Sequence, residues 1–374
     1  MRILYLTNLP SPYRVDFFNQ LVRCGIDVTV LFERNKAQNR TTKWRSEEEI
    51  LFQEVYLKSI KIGDESSLAL DAIKYIKKKE YDLIVIGGYS TITSMICIEY
   101  MRLKNIPFIL NADGGKISQD SWIKNKIKKH FIGAASAWLS SGFVATNYFV
   151  HYGANRDKVY EYPFSSIKNA DIENPLNEAD KENLRKKLNV KERFVVLSVG
   201  RFSYDRGYGK GFDVLLKIAS VLKNLDIAFV IVGDEPTREF VELKEKNGLD
   251  NVYYIGFKSK SELADYYRMS DLFILMTRGD VWGLVINEAM SYGLPIISSD
   301  KCVAGLELVD DNNGFIVNPE DFLQASKDIQ LLYNDKSLLK KFSESSLKKI
   351  SKYTIENMAK VHFDIFSKLI KTQR

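Results

Sequence analysis

The chain holds 374 residues, 45% of them hydrophobic, and its 54 Lys and Arg outnumber 48 Asp and Glu for a net charge of +6. That length suits two domains of ~100–200 residues, with enough apolar residue to fill two cores. The mild basic excess fits acidic small molecules or an anionic membrane surface as well as nucleic acid, and no run reaches the ~18 apolar residues of a membrane span.

Strand-like and helix-like patterns alternate along the whole sequence, which predicts α/β architecture with mostly parallel sheets. A first buried strand is expected over Ile3–Thr7, then a loop Asn8–Ser11, with Ser11 at an N-cap, Pro12 at the first helical position and a helix running to about Cys24. A strand Val28–Phe32 and a polar loop Arg34–Glu49 follow. Next come a helix Leu68–Lys79, a strand Leu83–Ile86 stopped by Gly87-Gly88, and a helix Ser90–Lys104. The strand Pro107–Leu110 leads into Asn111-Ala112-Asp113-Gly114-Gly115. Over Trp122–Ala134 a basic amphipathic helix can gather Ile123, Ile127 and Phe131 on one face, with Lys124, Lys126, Lys128 and Lys129 around it. Such a helix serves as a solvated face or as a contact with an anionic membrane. Two short strands, Ala137–Ser141 and Val159–Tyr162, flank a further helix.

From Phe164 to Asn189 the composition changes, with Pro163 just before it and Pro175, several asparagines and dense mixed charge within it, and a domain junction is expected near Pro163–Asn177. The second half restarts with an apolar strand Phe194–Gly200. It continues with helix Phe212–Leu222, strand Ile227–Val232, helix Thr237–Asn247, strand Val252–Ile255 and helix Ser259–Arg268. The stretch Thr277–Asp300 follows a strand Leu272–Met276; it contains a helix Gly283–Tyr292, ended by Gly293 and Pro295, and a strand Ile296–Ser299. A strand Gly314–Val317 and three terminal helices complete the chain. The three cysteines, Cys24, Cys97 and Cys302, have no metal or redox spacing and read as reduced core thiols of a cytoplasmic protein. The three histidines, His130, His151 and His362, do not cluster, and the apolar run at the N-terminus is broken too early, by Asn8 and Pro10, for a signal peptide.

Two places can carry chemistry. Gly200-Arg201 ends a strand and opens a loop with glycines 207, 209 and 211 and Lys210 before a helix. Cations, free amides and a helix start together suit a phosphate or diphosphate. The spacing is neither that of a P-loop nor that of the dinucleotide fingerprint. Asp280 stands at a helix threshold, and Glu288 lies inside that helix between Ile286 and Ala289-Met290. A carboxylate in an apolar setting needs a hydrogen-bonding partner. A ligand hydroxyl, backbone amides or an internal lysine would each serve.

Read in order, strand, Gly200, Arg201, glycine loop, Lys210 and helix, then Asp280, Gly283, Glu288, Ala289, Met290, Gly293 and Pro295, resemble the family-four retaining glycosyltransferases. Asn313-Gly314 and the last helix, after Tyr353-Thr354, fit the same pattern. The resemblance implies the GT-B architecture, two doubly wound parallel-sheet (Rossmann-like) α/β domains facing a cleft. Residues 1–170 would form the acceptor side and 171–354 the sugar-nucleotide donor side, with the helix at about 355–374 packing back on the first domain.

It further implies transfer of a sugar, with retention, from a nucleotide-diphosphate sugar to a glycan or lipid-linked glycan in surface polysaccharide synthesis. Arg201 and Lys210 would neutralise the diphosphate and Glu288 would hold the ribose. Asp280 and the amides of Trp282, Gly283, Leu284 and Val285 would meet the transferred sugar, while Gly200, Gly233, Gly256 and Phe257 would lie along the donor. Ser11, Arg14 and Asp113 would stand on the acceptor side. No Asp-x-Asp is present, so neither metal nor cofactor is expected; nor is a nucleic-acid partner. Peripheral contact with the inner face of an anionic plasma membrane is an expectation from the lysine-rich helix. Three departures stand out: Asp280 replaces the usual Glu, Asp113 stands where the family often has His, and Leu9-Pro10-Ser11-Pro12 replaces a Gly-Gly loop. A fold-related sugar-nucleotide epimerase or phosphorylase, or a non-catalytic sugar-nucleotide-binding protein, are the alternative readings.

Overall fold

The computed structural model describes residues 1–34, 49–62 and 66–373, and the chain parts into two compact units, Met1–Ser166 with Tyr353–Arg374, and Ile167–Lys352. In chain order the first unit contains β1 (Arg2–Thr7), α1 (Pro12–Arg23), β2 (Asp27–Phe32), β3 (Gln53–Tyr56), β4 (Ile60–Ile62), β5 (Ser66–Leu68), β6 (Leu83–Ile86), α2 (Ile92–Leu103), β7 (Ile109–Ala112), α3 (Trp122–Gly133), β8 (Ala137–Ser140), α4 (Phe143–His151) and β9 (Val159–Glu161). The second contains α5 (Glu178–Lys187), β10 (Phe194–Val199), α6 (Phe212–Val221), β11 (Ile227–Val232), α7 (Arg238–Lys246), β12 (Val252–Ile255), α8 (Lys260–Met269), β13 (Leu272–Leu275), α9 (Leu284–Ser291), β14 (Ile296–Ser299), α10 (Val303–Leu308), β15 (Gly314–Val317), α11 (Phe322–Asn334) and α12 (Lys336–Ile350). The last helix, α13 (Ile355–Gln373), belongs to the first unit.

The first unit is built on a seven-stranded parallel sheet in the order β3-β2-β1-β6-β7-β8-β9. Its central strands are largely apolar because helices cover both faces of a parallel sheet: Ile3, Leu4, Tyr5 and Leu6 of β1 and all four residues of β6 are buried. Helix α13 lies against α1, where the His362 ring meets Phe17 at 4.7 Å and Tyr162 at 4.4 Å. His362 Nδ1 carries the proton, since it lies 2.8 Å from the Met358 carbonyl, which can only accept. Burial pushes this imidazole down to about 3, so it is a neutral packing residue. The helix expected over 68–79 is a correction: Leu68 belongs to the β4–β5 hairpin, and only a 3-10 segment Leu70–Tyr75 follows. The Ala69 amide is taken by Thr93 Oγ1 at 3.0 Å, and the segment turns inward at buried Ile76, leaving Lys77–Lys79 outside. Of the loop expected at 34–49, residues 35–48 lie outside the described residues.

The second unit is a six-stranded parallel sheet, β12-β11-β10-β13-β14-β15, whose order reverses between β10 and β13. Helix α5, in a stretch the sequence reads only as a charged junction, has no apolar stripe to find. Its inward residues are Lys181 and Arg185, both nearly fully buried. Asn177 caps it through the Asp180 amide at 2.9 Å, and Glu178 and Asp180 against Arg185, Lys186 and Lys187 follow the helix dipole. The buried cations converge on Asp271, which precedes β13. Lys181 Nζ donates to Asp271 Oδ1 at 2.9 Å, while Arg185 Nη2 and the Val195 amide donate to Oδ2 at 2.7 and 2.8 Å. Removing one partner of such a cluster strands the other charges away from water. Asp271→Ala is therefore expected to cost ~3–5 kcal/mol of stability in urea denaturation. A loss under ~1 kcal/mol, the scale of an exposed pair, would mean that water reaches the cluster.

Candidate functional site

All strands of the second sheet run parallel, so their carboxyl ends share one edge, and ligands of such sheets bind beyond that edge where the strand order reverses. The register sets β10 and β11 level, from Phe194↔Ile227 to Val199↔Val232, and pairs Val232 with Ile255 of β12. Gly200, Gly233 and Gly256 thus emerge side by side. At Gly233 the lack of a side chain is required by space. A Cβ on Gly233 would lie 1.8 Å from the Gly200 carbonyl oxygen, and one on Gly256 would lie 2.9 Å from Glu235 Oε1. Gly211, at φ +73°, would put a Cβ 2.0 Å from the Met276 carbonyl oxygen. The loop after β10 is thereby pressed onto the end of β13.

That loop is held at both ends. The Asp234 carboxylate accepts from the Phe202 amide and, at 3.1 Å, from the Ser203 amide. Two consecutive non-glycine residues, Asp205 and Arg206, take left-handed backbone at φ 49° and 52°, a sparsely populated region that surrounding structure must enforce. The enforcement comes from Thr277-Arg278. The Arg278 amide and Thr277 Oγ1 both donate to the Gly209 carbonyl at 2.9 Å, and Arg278 Nη1 donates to the Tyr208 carbonyl at 2.5 Å. The Arg278 guanidinium is itself fixed by a fork onto Asp213, at 2.7 and 2.9 Å, and by Glu320 at 2.7 Å.

The loop delivers Lys210 to Asp280, Nζ to Oδ2 at 2.5 Å, with the ammonium 5.1 Å from the Tyr204 ring centroid. Both side chains are about one-fifth exposed, 18% and 20%. Asp280 Oδ1 also accepts from the Trp282 amide at 3.3 Å. Gly283 begins α9 in left-handed conformation, φ +99°, and a Cβ there would meet Cys302 Sγ at 2.5 Å. Trp282 is buried, its indole NH donating to Asn287 Oδ1 at 2.8 Å, whereas Val281 is 66% exposed. Arg201 is exposed at the end of β10, and Phe257 is exposed after β12.

Glu288, half-buried on α9, accepts from the Tyr267 hydroxyl at 2.9 Å. The apolar surroundings raise its carboxyl above the usual range, and the tyrosine's donation pulls it back. None of the three partners considered from the sequence is the one found within the chain; it is a phenol from α8.

In the first unit, Ser11 is the buried N-cap residue of α1 but makes no side-chain cap. Arg14, one turn on, is buried and pairs with Asp113 at the end of β7. Tyr162 donates to the other Asp113 oxygen at 3.0 Å and accepts from Asn111 Nδ2 at 2.8 Å, and the Tyr5 hydroxyl donates to Asn111. Both Asp113 oxygens therefore hold protein partners. The expected residues fall into two groups: those from Gly200 to Glu288 along one edge of the second sheet, and Ser11, Arg14 and Asp113 in the first unit. Among the described residues no three His, Cys, Asp or Glu converge as a metal-binding group.

Sequence reasoning missed Asp234, Tyr267 and the structural role of Arg278. An acid directly after a strand-ending glycine was a usable signal for Asp234; nothing local marks the other two, whose partners are 21 and 65 residues away. A cavity of about 410 Å³ opens at the opposite, amino edge of this sheet, lined by Phe194, Tyr292, Leu294, Tyr333 and Leu339 among others, and shares none of these loops.

Residues 180–349 match the sequence model of the glycosyl transferases group 1 family. An uncharacterized 41.2 kDa protein in the cps region of Klebsiella pneumoniae is 26% identical over 279 residues, 72% of this chain and 74% of its own. The amylovoran biosynthesis glycosyltransferase AmsD of Erwinia amylovora is 25% identical over 299 residues, 79% of this chain and 80% of its own. Among solved structures, HepE from Anabaena in complex with UDP-glucose superposes with a TM-score of 0.75 at 17% identity, covering 99% of this chain and 100% of HepE. The segment that matches the glycosyl transferases group 1 model carries the glycine loop, Lys210, Asp280 and Glu288, and the two parallel sheets have the GT-B fold of the solved glycosyltransferase structures.

Proposed function

We propose that the chain transfers a sugar, with retention and without a metal, from a nucleotide-diphosphate sugar to a glycan or lipid-linked glycan during surface polysaccharide synthesis. The contact between Lys210 and Asp280 carries the reading, because it joins the cation of the glycine loop to the acid of α9's threshold at the strand-order reversal. Lys210 and Arg201 neutralise the diphosphate as the bond from its oxygen to the sugar C1 breaks. The acceptor's hydroxyl oxygen bonds to C1 on the face that the phosphate leaves, and its proton goes to the leaving phosphate oxygen, so no separate base is needed. Asp280 holds hydroxyls of the transferred sugar, assisted by the amides from Trp282 to Val285, and Glu288 holds the ribose. Gly233, Gly256 and Phe257 line the base. The relatives in the cps region and in amylovoran biosynthesis support a polysaccharide acceptor, which the first unit would bind near Arg14 and Asp113.

Expected from this reading is product formation from a radiolabelled sugar nucleotide, chosen after a thermal-shift panel of UDP, GDP, ADP and dTDP. Lys210→Ala and Arg201→Ala should each lower kcat/KM roughly 30- to 1,000-fold, or ~2–4 kcal/mol. Activity within a few-fold of wild type in either variant would remove that residue from the leaving-group site. Hydrolysis or epimerisation without transfer would favour the alternative classes. Transfer should also persist in excess chelator; loss that added magnesium or manganese restores would overturn metal independence.

The face of α3 supports peripheral docking on an anionic membrane. Only Ile132 of this helix is buried, while Trp122, Ile123 and Ile127 are 70%, 62% and 42% exposed. Lys126 Nζ lies 4.0 Å from the Trp122 ring centroid. Lys128 is turned inward to Asp120 at 2.6 Å, which leaves Lys124, Lys126 and Lys129 to meet headgroups. Co-sedimentation with vesicles containing anionic lipid, but not with neutral ones, is the expected result, reduced by Trp122→Ser with Ile123→Ser. Equal binding to both vesicle types, or none, would leave α3 a solvated helix.

A further inference from the structure

We propose that Tyr267 is a positioning residue for the donor site: its hydroxyl occupies Glu288 Oε2 and so presents Oε1, in ionised form, to the ribose hydroxyls. This rests on Glu288 being the ribose ligand, as proposed above, and adds a residue from a different helix that fixes how the carboxylate is used.

Tyr267 on α8 is 2% exposed, and its hydroxyl lies 2.9 Å from Glu288 Oε2. Among the described residues nothing donates to Oε1. The Tyr267 ring cannot swing away. It stacks on Tyr292 with centroids 5.2 Å apart and planes 7° from parallel, and it meets Phe273 at 6.3 Å. Tyr292 is held in turn: the Arg268 guanidinium lies 5.8 Å from its centroid and forks onto Glu173 with two bonds of 2.8 Å. A locked phenol beside a carboxylate is a directional donor. Burial raises the Tyr267 hydroxyl well above its ordinary range, so it stays protonated and keeps donating at any working pH.

The other charged groups near Glu288 are Lys260 on α8, which favours its ionised form, and Asp171 before α5, which opposes it; these two also pair with each other at 2.8 Å. Tyr292 faces it from the end of α9. Among the described residues Tyr267 is thus the one group that both touches the carboxylate and favours its charge. Without the hydroxyl, the burial that already raises the Glu288 carboxyl goes less opposed, and its proton is retained to a higher pH. A carboxylate that binds ribose loses that acceptor as pH falls through its pKa, so the acid limb of nucleotide affinity should move to higher pH.

Tyr267→Phe keeps the stack and deletes only the hydroxyl. The probe is whichever of UDP, GDP, ADP or dTDP the wild type binds best, titrated by calorimetry between pH 5 and 8. The melting temperature should stay within a few degrees, the affinity at neutral pH should fall about tenfold, and the fall in affinity on acidification should begin at higher pH than in wild type. For the full reaction the donor KM should rise with kcat within about threefold. Adding Tyr267→Phe to Glu288→Gln should weaken binding little further, since the two changes remove one unit. If Glu288→Gln weakens binding while Tyr267→Phe matches wild type in affinity and pH profile, Tyr267 only packs and the ribose assignment stands. If Glu288→Gln itself binds like wild type, the ribose assignment fails and this proposal with it.

Discussion

Everything at the candidate site depends on how closely two backbone segments approach. The Gly211 Cα rests against the Met276 carbonyl, where no β-carbon fits, and Gly233 rests against the Gly200 carbonyl in the same way. With that contact made, Thr277 and Arg278 reach the carbonyls of Gly209 and Tyr208, and the loop between Arg201 and Lys210 has no freedom to drift. Lys210 then meets an acid 70 residues away in sequence. The ion pair is the visible result, but partly exposed pairs contribute little by themselves. It is the backbone contact, with hydrogen bonds that exclude alternatives, that gives the pair a definite place.

The second half of the sequence was the more legible. Strands Ile227–Val232, Val252–Ile255, Ile296–Ser299 and Gly314–Val317 fall where the sequence puts them, because parallel strands are largely buried and so read as short, mostly apolar runs. The site was legible as two fragments, a basic glycine loop and a pair of acids, but their meeting is a product of tertiary structure. Helix α5 was not legible at all. It buries Lys181 and Arg185, and a search for apolar periodicity is blind to a helix whose inward face is cationic. The segment Leu70–Tyr75 misled for the opposite reason. Ala69, Ala72 and Ile76 recur at helical spacing and are buried, yet the hairpin before them and Thr93 beside them take the bonds that a longer helix would need.

The two units solve the problem of buried charge differently. In the second, Asp271 collects two cations and a backbone amide between α5 and the sheet, at the edge opposite the glycine loop. In the first, Arg14 and Asp113 sit at the carboxyl end of the sheet among Tyr5, Asn111 and Tyr162. There a polar network surrounds Asp113, which stands where the family pattern often has a histidine, and its donors and acceptors are spent largely on one another.

The glycine frame also separates what this site can vary from what it cannot. Positions 211 and 233 admit no side chain without moving a neighbouring peptide, so sequence drift there is closed off by geometry. Tyr204, Phe257 and Val281 border the same frame and are 44%, 48% and 66% exposed, so none of them fills the core. Exchange of those three side chains would change the surface that borders the loop while the backbone contacts at Gly211 and Gly233 stayed as they are.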